Sequence, residues 1–314
     1  MIYGRYSVRM MERTLTERQL YHNCRVKIYP DGSRDILVAS APIFRVSGYE
    51  ERGADATSFE ALKDRLRSEK LLAEAMEIFG DTEDFHEPKV CKTSANIARS
   101  KRRARAAVSD LAMCNDFKYF VTLTLDEKAI DRYDMKAITK RLNTWLDNRV
   151  RRDGLKYVLV AEHHKDKAVH FHGFFNDALA VEDSGTMVPP SGGKPKRPKS
   201  KAQKADWLAN GGHIVFNLPA WDFGYTTAIE LYGTRRAAIG YVCKYITKAQ
   251  EKIGGRWYYS GGNLKRPEIQ ICVADYRAFS QLEDVASFVI DELGVSMIKC
   301  TVEGGESLEA WGIC

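Results

Sequence analysis

Two histidines stand one residue apart in the segment VHFHGFF, at His170 and His172. The alternation of this segment predicts a β-strand, in which residues i and i+2 point to the same face. Both imidazoles then project together as half of a metal site, while Phe171 enters the core. If the hairpin that joins this strand to the preceding YVLVAE turns near Asp166, Glu162 lies on the same face and can supply an oxygen ligand. A solvent-facing histidine pair without a metal is the alternative interpretation.

A second chemical group lies in TRRAAIGYVCKYITKAQEK, which predicts a helix. Tyr241 and Tyr245 are one helical turn apart, and Lys244 borders the same face. A phenol is a poor nucleophile at neutral pH because its pKa is about 10, but a neighbouring cation and a metal-polarised phosphate make it competent. Half-buried packing tyrosines are the alternative interpretation of this spacing.

The composition indicates a globular protein and excludes several other classes. The chain has 314 residues, of which 44% are hydrophobic and 29% are charged. It has no run of about 18 apolar residues and no apolar segment near its start, so we expect no membrane association and a cytoplasmic location. Seven cysteines without a CxxC pair argue against a disulfide framework and against a structural zinc site.

The net charge of +6 is concentrated in two short segments. Residues 94–108 contain five basic and no acidic side chains, and residues 194–204 contain six basic and no acidic ones. Because the two segments carry eleven of the positive charges, the rest of the chain has a net charge of −5. We predict phosphate binding by both; a solvated helix face and a tolerated insertion are the alternatives. The candidate DNA-binding residues are Arg99, Lys101, Arg102, Arg103, Arg105, Lys194, Lys196, Arg197, Lys199 and Lys201.

The predicted elements from residue 118 onward follow the order β-α-β-β-insertion-β-β-α. This order predicts an α+β fold with an antiparallel five-stranded sheet and helices collected on one face, in a ferredoxin-like or RRM-like layout. We expect three regions. They are an N-terminal accessory region at 1–93, with a strand pair around 25–38 and a helix from Thr57; a central domain at 94–253, with a flexible basic insertion at about 178–212; and a C-terminal extension at 254–314.

The order of three motifs resembles the HUH endonuclease superfamily, specifically the rolling-circle replication initiators of small single-stranded DNA phages and of related plasmids and prophages. The resemblance covers about residues 94–266. The three motifs are Phe120-Val-Thr122-Leu-Thr124, His170-Phe-His172 and Tyr241-Val-Cys-Lys244-Tyr245.

The resemblance implies a single-strand DNA endonuclease that nicks and rejoins a replication origin. By this resemblance His170, His172 and Glu162 would bind Mg²⁺ or Mn²⁺. Tyr241 would attack the scissile phosphate to form a 5′-phosphotyrosine, with Lys244 as an assisting cation. Tyr245 would match the second nucleophile of two-tyrosine initiators. A host DNA polymerase and helicase would be partners, and the location would be the bacterial host cytoplasm if a phage encodes the protein.

Two further functions stay open on the sequence. An HUH transposase or relaxase would share the chemistry on a different DNA, and a non-catalytic RRM-like module would bind single strands without cutting them. Four aromatic residues could stack exposed bases, with core packing as the alternative: Trp221, Phe223, Trp257 and Tyr258.

Overall fold

The structure is a computed structural model that describes residues 21–45, 94–164, 166–282, 285–290 and 295–304. The helix predicted from Thr57 lies outside the described residues. The helices are α1 (Ser94–Cys114), α2 (Met135–Asp153), α3 (Lys201–Ala209), α4 (Arg235–Lys248) and α5 (Tyr276–Ser280). The strands are β1 (Tyr21–His22), β2 (Cys24–Ile28), β3 (Arg34–Ala39), β4 (Phe44–Arg45), β5 (Tyr119–Leu125), β6 (Tyr157–His163), β7 (Val169–Phe175), β8 (Glu182–Val188), β9 (His213–Asn217), β10 (Gly224–Glu230), β11 (Tyr259–Gly261), β12 (Glu268–Cys272), β13 (Ala286–Ile290) and β14 (Val295–Val302).

The chain divides into two compact units. One is Ser94–Pro267, and the other combines Met1–Thr93 with Glu268–Cys314. The second unit contains a five-stranded antiparallel sheet in the order β12-β2-β3-β14-β13, which confirms the strand pair predicted around residues 25–38. The boundaries differ from the predicted ones because β12 pairs with β2, so strands from both ends of the chain share one sheet.

The unit Ser94–Pro267 is built on a seven-stranded sheet in the order β11-β6-β7-β5-β10-β9-β8. All neighbouring strands are antiparallel. The five strands predicted for this region are confirmed as β5, β6, β7, β9 and β10. Two more strands extend the sheet at its edges, so the prediction of five was wrong in number. The ferredoxin-like or RRM-like identity stays a prediction.

The segment predicted as an irregular insertion at about 178–212 contains β8 and α3. The backbone N–H of Met187 donates to the carbonyl of Lys196 and receives the reciprocal bond, both at 2.8 Å. The Ser200 hydroxyl accepts a hydrogen bond from the N–H of Gln203 at the start of α3. These local bonds give regular structure to a segment whose Pro and Gly content predicted none.

The seven-stranded sheet has helices on both faces, so the prediction that they collect on one face was wrong. On one face, which we call the core face, α2 packs Ile138, Leu142 and Trp145 against the sheet. On the opposite face, which we call the site face, the ring of Tyr245 on α4 stacks over His172 on β7. Tyr157–Ala161 of β6 are all buried, and a strand that is apolar on both sides needs cover on both.

The two longest helices carry charged faces that match their position at the surface of the unit. Helix α2 begins where the Asp134 carboxylate accepts bonds from the N–H groups of Lys136 and Ala137, and it ends at Gly154 with a φ of 72°. Helix α1 buries Val108 and Leu111 and exposes basic residues such as Arg102. None of the helices in the described residues is both long and apolar enough to cross a membrane.

Candidate active site

The strand register places the candidate metal ligands in one row across the site face. His170 on β7 lies directly opposite Glu162 on β6 and Thr124 on β5, and Thr124 lies opposite Tyr225 on β10. We call these four residues the His170 row. The opposition of His170 and Glu162 confirms the predicted hairpin centred near Asp166, although the roles of both residues as ligands stay predictions.

The histidines are held by hydroxyl and carboxylate neighbours. The Oγ1 atoms of Thr122 and Thr124 lie 3.1 Å from Nδ1 of His172 and 3.2 Å from Nδ1 of His170. The Nε2 of His172 lies 3.2 Å from a carboxylate oxygen of Glu162. A hydroxyl that bonds one ring nitrogen fixes the orientation of the imidazole and directs the other nitrogen outward. The threonines of the first motif are thus the partners that aim the two histidines.

Burial sets the protonation of these groups. Burial, with the charge of His170 as a smaller cause, lowers the pKa of His172 from 6.5 to about 4. The pKa of His170 is also lowered, first by burial and then by the neighbouring His164. Burial raises the pKa of Glu162, an effect that the positive charge of Lys248 opposes. Neutral imidazoles are the form that binds metal ions, so both histidines are in that form at neutral pH.

The donor set matches the ligand preference of a divalent cation in chemistry but is not closed into a cluster. Two imidazole nitrogens and a carboxylate oxygen suit borderline divalent ions such as Mn²⁺. The ring centroids of His170 and His172 are 6.4 Å apart. Within the described parts of the chain, no group of three or more His, Cys, Asp or Glu side chains is arranged to hold a metal ion as it stands. A three-ligand site on His170, His172 and Glu162 therefore needs rotation of these side chains.

The two candidate nucleophiles lie on the face of α4 that looks onto the histidine strand. The ring of Tyr245 stacks on the imidazole of His172, with centroids 4.3 Å apart and planes within 6°. Tyr241 packs edge-on against Tyr245 and Phe120, each at 5.5 Å, and is 49% exposed. The pKa of Tyr245 is raised by burial, by its hydrogen bond with Tyr241 and by the negative charge of Glu162. The fold thus brings both predicted tyrosines to the histidines, one inner and one exposed.

Each tyrosine has a lysine three residues further along α4. The Nζ of Lys244 lies 5.9 Å from the ring centroid of Tyr241. Lys248, which the sequence reasoning missed, lines a cleft of about 270 Å³ together with Glu162 and Tyr245. The signal was present as a doubled pattern, Tyr-x-x-Lys-Tyr-x-x-Lys, of which only the first half was considered.

The first basic segment lies on α1, which packs beside the site helix. Arg102, Arg103 and Arg105 are exposed, whereas Arg99 and Lys101 are half-buried. The ammonium of Lys101 donates to the carbonyl of Thr247 at 3.3 Å, at the C-terminal end of α4. Lys101 therefore holds the site helix in addition to any contact with phosphate.

The second basic segment adjoins β8, at the edge of the sheet away from β6. Lys194, Lys196, Arg197, Lys199 and Lys201 are all exposed. Four strand spacings separate β8 from β7, which corresponds to about 19 Å. The structure therefore does not bring these cations to the histidines but places them on the far side of the sheet.

Two of the four predicted base-stacking residues are core residues instead. Trp221 is 4% and Phe223 is 1% exposed, and both pack against Trp145 on the core face. Trp257 is half-buried and donates from its indole N–H to Ser100. Tyr258 is half-buried as well. Aromatic content predicted these candidates, but it does not reveal which face of the sheet a ring occupies.

Comparison with known proteins agrees with this geometry. Neither the curated proteins nor the solved structures gave a match to the chain. Residues 118–250 match a family model that describes a replication-associated protein of the ORF2 type. The matched segment is less than half of the chain, and it runs from the start of the first motif strand to the end of the tyrosine helix. The similarity supports a replication-associated protein, as the motif order predicted, and membership of the HUH superfamily stays a prediction.

Proposed function

We propose that the protein is a rolling-circle replication initiator that nicks and rejoins single-stranded origin DNA through a covalent tyrosine intermediate. One observation carries the proposal. The tyrosine helix lies on the histidine strand, with Tyr245 stacked on His172 and with Glu162 3.2 Å from the same imidazole. The match of residues 118–250 to a replication-associated family supports the biological role.

In this proposal His170, His172 and Glu162 hold Mg²⁺ or Mn²⁺. When bound, the ion supplies Lewis-acid polarisation of the scissile phosphate. Thr122 and Thr124 orient the imidazoles through their Nδ1 atoms. The neutral state of the imidazoles, favoured by burial, keeps their nitrogens available near neutral pH.

Tyr241 is the first nucleophile in the proposed reaction. Its hydroxyl is hydrogen-bonded to that of Tyr245, and this bond raises the pKa of Tyr245. Of two coupled phenols, the one with the raised pKa keeps its proton and donates it, which stabilises negative charge on the oxygen of the other. Tyr241 is also the more exposed of the two, so a DNA strand can reach its Oη.

The proposed step exchanges one phosphodiester bond for another. The Tyr241 Oη loses its proton to solvent and forms a bond to phosphorus, the P–O3′ bond breaks, and the departing 3′ oxygen takes up a proton. The products are a 5′-phosphotyrosine and a free 3′-hydroxyl that a host polymerase can extend. Lys244 and Lys248 offset the negative charge beside each tyrosine. Tyr245 then acts as the second nucleophile, and attack by a 3′-hydroxyl on the phosphotyrosine rejoins the strand.

The test is a covalent-adduct assay with end-labelled single-stranded DNA. The unmutated protein with Mn²⁺ is expected to shift 3′-labelled DNA, but not 5′-labelled DNA, on a denaturing gel. Tyr241→Phe is expected to reduce the initial adduct strongly, and Tyr241→Phe with Tyr245→Phe is expected to abolish it. A chain that binds a panel of candidate origins yet forms no adduct with any of them would be a non-catalytic binding module, and the nicking proposal would be wrong.

A further inference from the structure

Tyr225 lies in the His170 row, yet neither of the chemical motifs nor the basic segments includes it. It is directly opposite Thr124 on β5, which is directly opposite His170 on β7. Adjacent strands are 4.7–4.9 Å apart, so the backbone of Tyr225 is about 10 Å from that of His170. The preceding Gly224 permits this register, because a Cβ there would overlap the carbonyl oxygen of Thr124.

The ring of Tyr225 is 68% exposed, the most exposed large hydrophobic side chain among the described residues. It lies on β10, which is an inner strand of the seven-stranded sheet. Tyrosines on inner strands usually bury the ring and keep only the hydroxyl in water. An exposed aromatic ring on the inner strands of an antiparallel sheet is the arrangement by which sheet-based modules stack nucleobases.

The neighbours of Tyr225 on the site face are small and uncharged. Thr122 and Thr124 on β5 and Thr227 on β10 share this face, and all three are half-buried. No acidic side chain among these neighbours would repel a polyanion. The surface is flat enough for a base and offers hydroxyls, while the cations that neutralise phosphates lie elsewhere.

Those cations lie on both sides of Tyr225 in the strand order. Lys244 and Lys248 on α4 border the histidines, and the exposed basic segment 194–201 adjoins β8. Strand β10 is between β5 and β9, so a strand of DNA that runs across the sheet from the histidines toward β8 passes over Tyr225. This charge arrangement selects a single-stranded nucleic acid as the occupant of the surface.

We propose that Tyr225 is a base-stacking residue that holds one nucleobase of the single strand beside the His170 row. The inference rests on the proposed function, since it takes the scissile phosphate to lie at the histidines. Stacking of the neighbouring base fixes the backbone between it and the phosphate, so Tyr225 is a positioning residue for the cut.

The test is a binding measurement by fluorescence anisotropy in EDTA, which keeps it independent of nicking. The probes are single-stranded oligothymidylate and an abasic oligomer of the same length, which has the same phosphates without bases. Tyr225→Ala is expected to weaken binding of oligothymidylate about 10-fold, because stacking contributes about 1–3 kcal/mol per base. Tyr225→Trp is expected to restore it, and binding of the abasic oligomer is expected to be the same for all variants.

Tyr232→Ala is the matched control, because Tyr232 is 56% exposed and follows the opposite end of β10. It is expected to leave oligothymidylate binding unchanged. The inference is wrong if Tyr225→Ala has no effect, if it weakens the abasic oligomer equally, or if the unmutated protein does not bind oligothymidylate. If Tyr225→Ala shows the base-dependent loss but the unmutated protein forms no covalent adduct, stacking stands and the nicking proposal fails.

Discussion

The two faces of the seven-stranded sheet use the same strands for different purposes. Along β7, Phe171 and Phe175 point to the core face and are buried, while His170 and His172 point to the site face. Along β5, Val121 and Leu123 alternate with Thr122 and Thr124 in the same way. Strand parity therefore separates folding from chemistry at the level of adjacent residues, and substitutions one position apart should have effects of different kinds.

The largest expected effect lies on the core face. Phe171 is fully buried and packs edge-on against Tyr259 at 6.0 Å, so Phe171→Ala should reduce the free energy of unfolding by about 3–5 kcal/mol. Urea denaturation followed by tryptophan fluorescence measures this, since Trp145 and Trp221 lie in the same core. Phe171→Leu, which keeps most of the volume, should cost less. A loss below about 1 kcal/mol for Phe171→Ala would show that the core face does not depend on this ring.

The neighbouring substitution His172→Ala should show the opposite profile. It removes a proposed metal ligand and one hydrogen bond to Thr122, so the free energy of unfolding should fall by only about 1–2 kcal/mol. Adduct formation with Mn²⁺ should fall at least about 100-fold, because metal polarisation contributes several kcal/mol to the reaction. His213→Ala is the control, since His213 on β9 stacks on Tyr232. Full activity in His172→Ala would remove this residue from the proposed site.

Much of this contrast was predictable from the sequence because parity is a local property. The alternation around His170 and His172 predicted both the strand and the shared face. The position of Glu162 followed from one further assumption, the hairpin centre near Asp166, which the register bears out. Helical spacing likewise predicted that Tyr241 and Tyr245 share a face of α4.

What escaped the sequence reasoning depends on contacts between distant segments. Trp221 and Phe223 were candidates for base stacking, but their placement on the core face depends on packing against Trp145. Tyr225, only two residues further on, is exposed because β10 pairs with β5 in a register that no local pattern specifies. The pairing of β12 with β2 joins segments more than 200 residues apart, so the boundary of the second unit was hidden as well.

A smaller effect is expected for the hydroxyls that orient the imidazoles. Thr124→Val, which replaces the hydroxyl next to Nδ1 of His170, should lower Mn²⁺ affinity about 10-fold, near the low end of such losses. Isothermal titration measures the affinity. Thr226→Val is the control on the core side of β10, because its hydroxyl accepts a bond from the N–H of Leu218 instead. Equal affinity in Thr124→Val and the unmutated protein would mean that the hydroxyl does not orient a metal ligand.

The smallest expected effect is the pH dependence of Mn²⁺ binding between neutral pH and 6.5. Since folding lowers the pKa of both His170 and His172, the imidazoles stay neutral as the pH falls through 6.5, the usual value for histidine. Mn²⁺ affinity should therefore change little there. It should fall at lower pH as Glu162, whose pKa is raised from 4.5, takes up a proton, and then as His172 does so near 4. Titrations followed by the electron paramagnetic resonance signal of free Mn²⁺ test this, and a loss of affinity centred at 6.5 would mean that the site-face histidines titrate as exposed ones.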